Sequence, residues 1–397
     1  MQLKHGIHLG YCTNIHRGET WAETFAGLDQ YTLKVKDQVC PNSEPYGIGL
    51  RLSADASAEL TADASLVDDF RRWLDKNHAY VFTINGFPYG TFHGNRVKEQ
   101  VYAPDWSHQA RLTYTNQLFD LLCRIAPEGQ SGSVSTLPGS FKEFVIGQPD
   151  ENKKISAIIS NLRDCNRHLE ALREKTGRDL HLGLEPEPLG LFENSFESVA
   201  FFDQLTNGVS ENEKASILQN IGINYDTCHL AVEYENAADA FANLRGAGLR
   251  ISKIHLSSAL KLTPDKASRS RLSEFQDDVY LHQVIVRKGD DIIERFRDLP
   301  DALAWADENK GDAGDEWRVH FHVPIHAQPE AIFGDTRDHI SDTLDLLGAD
   351  PGWCQHFEME TYTWEVMPKA MRSGDVVDQL AKEYEYCLAE FDRTGLV

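Results

Sequence analysis

The sequence predicts an α/β protein of the (β/α)8 TIM-barrel class, with a long β-rich insertion between the last two barrel strands. Three observations carry this expectation. Short apolar runs alternate with helix-period patterns along the 397 residues, about eight times over. Several of those runs end on a polar residue of metal-ligand type, and barrel enzymes build their chemistry at that edge. The spacing also fits: 41 residues separate Glu185 from Asp226 and 29 separate Asp226 from His255, each about one strand–helix repeat. The next such residue, Glu360, comes 105 positions later, which leaves room for an insertion at about 257–350 inside a single domain spanning 1–397.

The elements follow in order. Gly6 to Cys12 is a first strand and Trp21 to Leu33 a helix. Gly47 to Ser53 is a second strand, followed by a helix from Leu66 to Asn77, where Phe70, Trp73 and Leu74 share a face. Ala79 to Asn85 is a third strand, opening into a long loop up to Pro104. A helix from Trp106 to Ile125, a fourth strand from Gly132 to Pro138 and a helix from Ile155 to Lys175 come next. Strands ending at Glu185, Asp226 and His255 follow, with Leu230 to Leu249 reading as one helix closed by Gly246 and Gly248. In the insertion, Pro264 to Arg271 reads as an exposed loop. Val279 to Arg287 and Ile292 to Phe296 form a hairpin, and Trp317 to Val323 adds a strand. The strand ending at Glu360 and a helix from Val376 to Phe391 close the series.

Composition narrows the partners. With 62 acidic against 39 basic residues, the net charge of −23 repels nucleic acid and anionic membranes. No apolar run approaches membrane-spanning length and the start has no signal-peptide pattern, so a cytoplasmic protein with a small-molecule substrate, and with scope for homo-oligomers, is expected. Seven cysteines, an odd number without a Cys-x-x-Cys pair, read as reduced thiols.

Asp226 sits where a strand hands over to a helix in Ile221-Gly-Ile-Asn-Tyr-Asp226-Thr-Cys-His229, three residues before an imidazole. Its alternatives are metal ligand and helix N-cap. Leu180-His-Leu-Gly-Leu-Glu185, Ile251-Ser-Lys-Ile-His255 and Gln355-His-Phe-Glu-Met-Glu360 repeat the theme on other strand ends. Three carboxylates and an imidazole make a mixed oxygen/nitrogen set for one divalent ion such as Mn, Mg, Co or Zn. His320 and His322, two apart on a strand, share a face. With His229 they can hold a second ion or the ligand's oxygens; the alternative is a solvated strand face. His282 and His326 belong to the same region, and His8, Asn14, His16 and His93 can reach the mouth but read individually as surface or supporting groups. Glu358 shares the parity of Glu360 one layer deeper. Phe87, Tyr89, Phe92, Tyr102 and Trp106, with Lys98 and Arg111, can roof a pocket or pack on themselves. Cys228 reads as a buried filler, and Glu187, in Glu185-Pro-Glu-Pro, as exposed.

The strand-end set Glu185, Asp226, His255 and Glu360, with His229, resembles the xylose-isomerase-like TIM-barrel superfamily, which holds sugar isomerases and epimerases together with endonuclease IV. More narrowly, six motifs resemble the EboE family, associated with a bacterial metabolite-traffic gene cluster. They are Tyr11-Cys-Thr-Asn-Ile-His16, Asn85-Gly-Phe-Pro-Tyr-Gly90, Asn224-Tyr-Asp-Thr-Cys-His229, Leu281-His-Gln-Val284, Arg318-Val-His-Phe-His-Val-Pro324 and Glu360-Thr-Tyr-Thr-Trp364. The resemblance implies a divalent-metal site, Glu185 and Glu360 as the acid/base pair of an isomerase or epimerase, and His229 or Lys261 orienting substrate oxygens. The ketose 3-epimerases place a substrate-binding Glu where Leu191 stands here, and an Arg where Lys261 stands. His320-x-His322 occupies the place of an Asp-x-His pair in endonuclease IV, so a phosphoesterase is the alternative, and a metabolite-binding protein without turnover a third.

Overall fold

The computed structural model describes residues 1–41, 44–90, 98–276, 280–309, 312–361 and 374–397. Eight parallel strands form the barrel: β1 (His8–Tyr11), β2 (Tyr46–Arg51), β3 (Ala79–Asn85), β4 (Gly132–Thr136), β5 (Leu180–Leu184), β6 (Ile221–Asp226), β7 (Ile251–Leu256) and, after the inserted strands, β13 (His356–Met359). Their order around the sheet is β1-β13-β7-β6-β5-β4-β3-β2. The remaining seam, between β1 and β2, is joined by a parallel bridge from Cys12 to Gly49. Gly49 is needed there: a Cβ at this position would lie 2.7 Å from the Tyr11 carbonyl oxygen and collide with the Glu358 carboxylate.

These strands are buried on both faces, which explains their near-continuous apolar runs. Outward residues such as Ile223, Ile254 and Phe357 pack beneath the helices in one large core. The interior is unusually polar. Thr83, Ser133, Ser135, Lys253 and Glu358 are all buried, with Ser133 donating to Thr83 Oγ1 at 2.7 Å and Lys253 to Ser135 Oγ at 3.0 Å. Lys253 and Glu358 form a fully buried ion pair. Toward the opposite end of the barrel from Asp226 and Glu360, His8, His181 and His356 pack ring against ring, with centroids 5.1 Å (His181–His356) and 5.8 Å (His8–His356) apart.

The inserted strands β8 (Leu260–Leu262), β9 (Val284–Lys288), β10 (Asp291–Phe296), β11 (Glu316–Val319) and β12 (Gly334–Asp335) form an antiparallel sheet in the order β10-β9-β11-β8-β12. It has its own smaller core, built on Leu260, Phe275, Val286, Trp317 and Phe321. Arg295 ties it to the barrel through Glu233. The helix Arg337–Ala349 then packs on the barrel helices Thr227–Val232 and Ala237–Gly246.

Several elements differ from expectation. The stretch from Pro264 to Arg271 is not a loop: Lys266–Leu272 is a helix, capped by Asp265, whose side chain accepts from Ser268 N. The single helix expected from Leu230 to Leu249 is two, broken where Tyr234 takes φ +61° and its hydroxyl donates to the Glu316 carbonyl at 3.0 Å. The first helix runs past Leu33 to Val39 through a wide turn at Leu28–Thr32. The strand expected from Trp317 to Val323 is β11, which stops at Val319 before its histidines, and the hairpin begins at Val284. Val279, Phe92, His93 and Tyr362 to Trp364 lie outside the described residues. The helices Ala54–Ala62, Leu299–Glu308 and Arg337–Ala349 were not foreseen. Among the described residues no helix is long and apolar enough to cross a membrane.

Candidate metal centre

Glu185, Asp226, His255 and Glu360 meet at the C-terminal mouth of the barrel, all buried, each offering one ligand atom within 4.8 Å of the others. Strand geometry explains the convergence. Asp226 and His255 are register partners on adjacent strands, and Glu358 pairs with His255 one strand further, which sets Glu360 beside it. His255 Nδ1 lies 3.0 Å from Glu185 Oε1, 3.1 Å from Glu360 Oε2 and 3.6 Å from Asp226 Oδ2, while its Nε2 meets Glu358 Oε2 at 3.3 Å.

Burial works against every charge here, yet the charges prevail over it. The carboxylates of Glu360 and Glu185 hold the His255 imidazole well above its ordinary value. The nearby imidazoles, His255 foremost, bring Glu360 down to about 2, and those led by His229 hold Asp226 well below the usual range. Three carboxylates around one imidazole, with Asp226 and Glu360 held ionised, gather negative charge away from water, which a cation would offset.

Asp226 is a helix N-cap, and its second oxygen leaves the metal reading open. Its Oδ1 caps the helix Thr227–Val232, accepting from His229 N at 2.9 Å and from Ser257 Oγ at 2.6 Å. Its Oδ2 is buried without a hydrogen-bond partner, so one oxygen is spent on the fold and the other is available to an ion. Glu360 Oε1 is steadied by Asn14 Nδ2 at 2.8 Å and Asn85 Nδ2 at 3.1 Å. Glu358 faces inward beneath it, and Lys253 keeps it ionised against its burial.

A second group adjoins the first. Asp226, His229 and His322 offer close ligand atoms, as do Cys228, His320 and His322. Although β11 ends at Val319, both later imidazoles turn inward. Each ring has its Nδ1 beside a carbonyl oxygen: His229 at Pro186 O (3.2 Å), His320 at Gln283 Oε1 (2.8 Å) and His322 at Glu360 O (2.9 Å). With Nδ1 donating in all three, Nε2 is the atom each ring turns toward the others, 3.1 Å apart for His320–His322 and 3.3 Å for His322–His229. A carbonyl holding Nδ1–H while Nε2 faces inward is the arrangement of metal-ligating histidines. Burial beside His229 and His322 holds the His320 imidazole well below its ordinary value, keeping it neutral. Cys228 is fully buried within this group.

A pocket opens over both groups, with about 640 Å³ of empty space, part of it open to solvent. Glu185, Glu360, His229 and His320 line it, together with Asn14, Gln283 and Glu187. Glu187 corrects the sequence reading, for it is buried rather than exposed, and Oε1 has no hydrogen-bond partner. Burial and the charge of Glu185 push its carboxyl well above the ordinary range. The structure divides the aromatic loop: Phe87, Tyr102 and Lys98 line the pocket, whereas Tyr89 packs on Tyr114 and Trp106 donates to Thr136 Oγ1. Arg111 is buried away from it, donating to the carbonyls of Pro104 and Gly86.

Lys261 does not line this pocket. It lies on β8 in the inserted sheet, its side chain 27% exposed and its Nζ 2.9 Å from Asp338 Oδ2. His8 belongs to the opposite end of the barrel, His16 pairs with the Tyr11 hydroxyl at 2.9 Å, and His282 stacks on Phe321. His326 is half-buried, and burial lowers its imidazole to about 4.

No family model matches the chain, and no curated protein matches it. Solved structures do. A xylose isomerase-like TIM barrel protein from Mycobacterium smegmatis in complex with magnesium shares 13% identity over 99% of each chain, with a TM-score of 0.52. A xylose isomerase domain protein from Planctomyces limnophilus shares 14% over 98% of each chain, with a TM-score of 0.51. A D-tagatose 3-epimerase-like protein shares 11% over 98% of each, also at 0.51. At these identities the likeness establishes the xylose isomerase-like barrel fold. It does not extend to the narrower EboE resemblance, which rests on sequence motifs.

Proposed function

We propose that this xylose isomerase-like barrel is a divalent-metal-dependent isomerase or epimerase acting on a small polyhydroxylated or carbonyl metabolite, within the EboE-like group its motifs suggest. The observation that carries the reading is the buried set Glu185, Asp226, His255 and Glu360, of which Glu185 and Glu360 line the pocket, with Asp226 Oδ2 lacking a hydrogen-bond partner. Those four residues would hold the ion; the Mycobacterium smegmatis neighbour is described in complex with magnesium. When bound, a divalent ion polarises a substrate carbonyl and acidifies the carbon-bound proton beside it.

The chain's own groups do the rest. Glu185 and Glu360 line the pocket from β5 and β13, strands separated in the barrel by β6 and β7. One removes the carbon-bound proton and the other returns a proton, so the carbon is rebuilt in a new configuration or the carbonyl moves one position. Asn14 and Asn85 fix the Glu360 carboxylate through Oε1, while Oε2 faces His255. His229 orients a substrate oxygen; Lys261, held by Asp338, does not take that part. Seven free cysteines suit a reducing compartment, in keeping with a cytoplasmic enzyme.

The test is exchange of that proton. Hydroxy-ketones and ketoses are incubated in D₂O with metal-loaded protein and followed by NMR. Deuterium at the carbon beside the carbonyl, or an isomerised product, is expected, and Glu360→Gln should abolish it. The histidine group favours a second reading, a phosphoesterase with two or more ions in which Asp226 serves both groups. Metal-dependent phosphodiester cleavage without exchange would transfer the assignment there. Tight binding without either reaction would mark a metabolite-binding protein.

A further inference from the structure

The lining of the pocket is of two kinds. Glu185, Glu360, His229 and His320 bring the ligand-type groups, and Phe87, Pro88, Val101, Tyr102, Tyr280 and Leu281 supply an apolar and aromatic wall. The rings of Phe87 and Tyr102 pack together, 5.5 Å between centroids, and Tyr102 packs in turn on Phe141, so the wall is backed by the core. Among the described residues, Lys98 is the one Lys or Arg lining the pocket. Its ammonium is held by Asp298 at 2.5 Å, and Asp298 is itself anchored by the backbone N–H groups of His282 and Leu299, 3.0 Å away in each case. The remaining ionisable groups on the lining are Glu185, Glu187, Glu360, His229, His320 and the Tyr102 and Tyr280 phenols.

From this we infer that the substrate carries an apolar or aromatic body and no phosphate at the end remote from its reacting oxygens. A phosphate at that end would bring two negative charges to a wall whose lysine is already neutralised, and would face apolar carbon in place of bidentate donors. An aryl or alkyl body there removes its own surface and that of the wall from water together. Glu187 lines the same pocket beside Tyr102, and its Oε1, which has no hydrogen-bond partner, can accept from a substrate hydroxyl. The inference rests on the metal reading only for which end of the substrate faces the ligand-type groups.

Three compounds with one hydroxymethyl-ketone head and different far ends separate the possibilities: dihydroxyacetone, dihydroxyacetone phosphate and 1-hydroxy-3-phenylpropan-2-one. Their dissociation constants are measured by calorimetry on the full chain, metal-free and loaded with Mn²⁺, with metal content determined in parallel. The phenyl compound is expected to bind at least about tenfold more tightly than the phosphate in both forms. Phe87→Ala and Leu281→Ala should each erase most of that advantage while leaving dihydroxyacetone unchanged. Equal or tighter binding of the phosphate, no binding by any of the three, or an advantage untouched by both substitutions would overturn the inference. Absence of bound Mn²⁺ with the phenyl preference intact would instead sink the metal reading alone.

Discussion

Asp226 caps a helix with one oxygen and, on the proposed reading, holds a metal with the other, and substitutions can divide the two. Asparagine caps a helix about as well as aspartate does. Asp226→Asn should therefore keep the metal-free melting temperature near that of the unaltered chain while losing bound metal after chelation and reloading. Asp226→Ala should lose the metal and, in addition, about 1 kcal/mol of stability with the cap. Unchanged occupancy in both variants would remove Asp226 from the metal site. Deeper in the barrel, Lys253 and Glu358 are each fully buried and paired. Lys253→Met breaks the buried pair and leaves Glu358 with His255 as its remaining partner, a change of the kind that typically costs up to about 3–5 kcal/mol. Denaturant unfolding of Lys253→Met beside Lys253→Met/Glu358→Gln checks this, since removing the stranded charge should restore much of the loss.

Among the elements, the seam between β1 and β2 is the most exacting. Gly49→Ala should cost at least about 1–3 kcal/mol, the usual range for overpacking, because the added methyl meets both a carbonyl and the Glu358 carboxylate. Amide exchange should speed up first in β1 and β2. The eight barrel strands and the four strand-end residues that meet at the mouth were legible in the sequence because parallel strands buried on both faces read as apolar runs, each closing on a polar residue. Glu187 was misread for a local reason. Leu189 takes φ +66° and Gly190 N donates to Glu187 O at 2.9 Å, so a turn folds the proline-rich exit back over the mouth. Lys261 was misplaced because the chain leaves the barrel directly after β7, and the strand that follows belongs to another sheet. The convergence of His320 and His322 survived the early end of β11, since their rings are fixed by Gln283 and by the Glu360 carbonyl rather than by strand parity.

For the whole molecule, acid sensitivity follows from the histidines at the far end of the barrel. Burial holds His181 and His356 well below the ordinary 6.5 and His8 at about 4. These groups bind fewer protons folded than unfolded, so their stability is intact above pH 6.5 and is lost as pH falls from there through 4. His8 alone accounts for on the order of 3 kcal/mol. Melting temperature measured from pH 7.5 to pH 4 should fall along this course, and His8→Gln should flatten it; a profile insensitive to that substitution would contradict the assignment. Divalent metal added near neutral pH should raise the melting temperature, by roughly 2.7 kcal/mol of stability at a hundredfold excess over its dissociation constant. The sheet order reaches beyond equilibrium, into how the chain is made. β1 is hydrogen-bonded along its length to β13, pairing His8 with His356, and meets β2 through a bridge at Cys12. A ribosome adding about 5–20 residues each second needs roughly 20–70 s to travel from one partner to the other. Throughout that interval the nascent amino-terminal strand has an open edge, and the last barrel strand to emerge is the one that covers it.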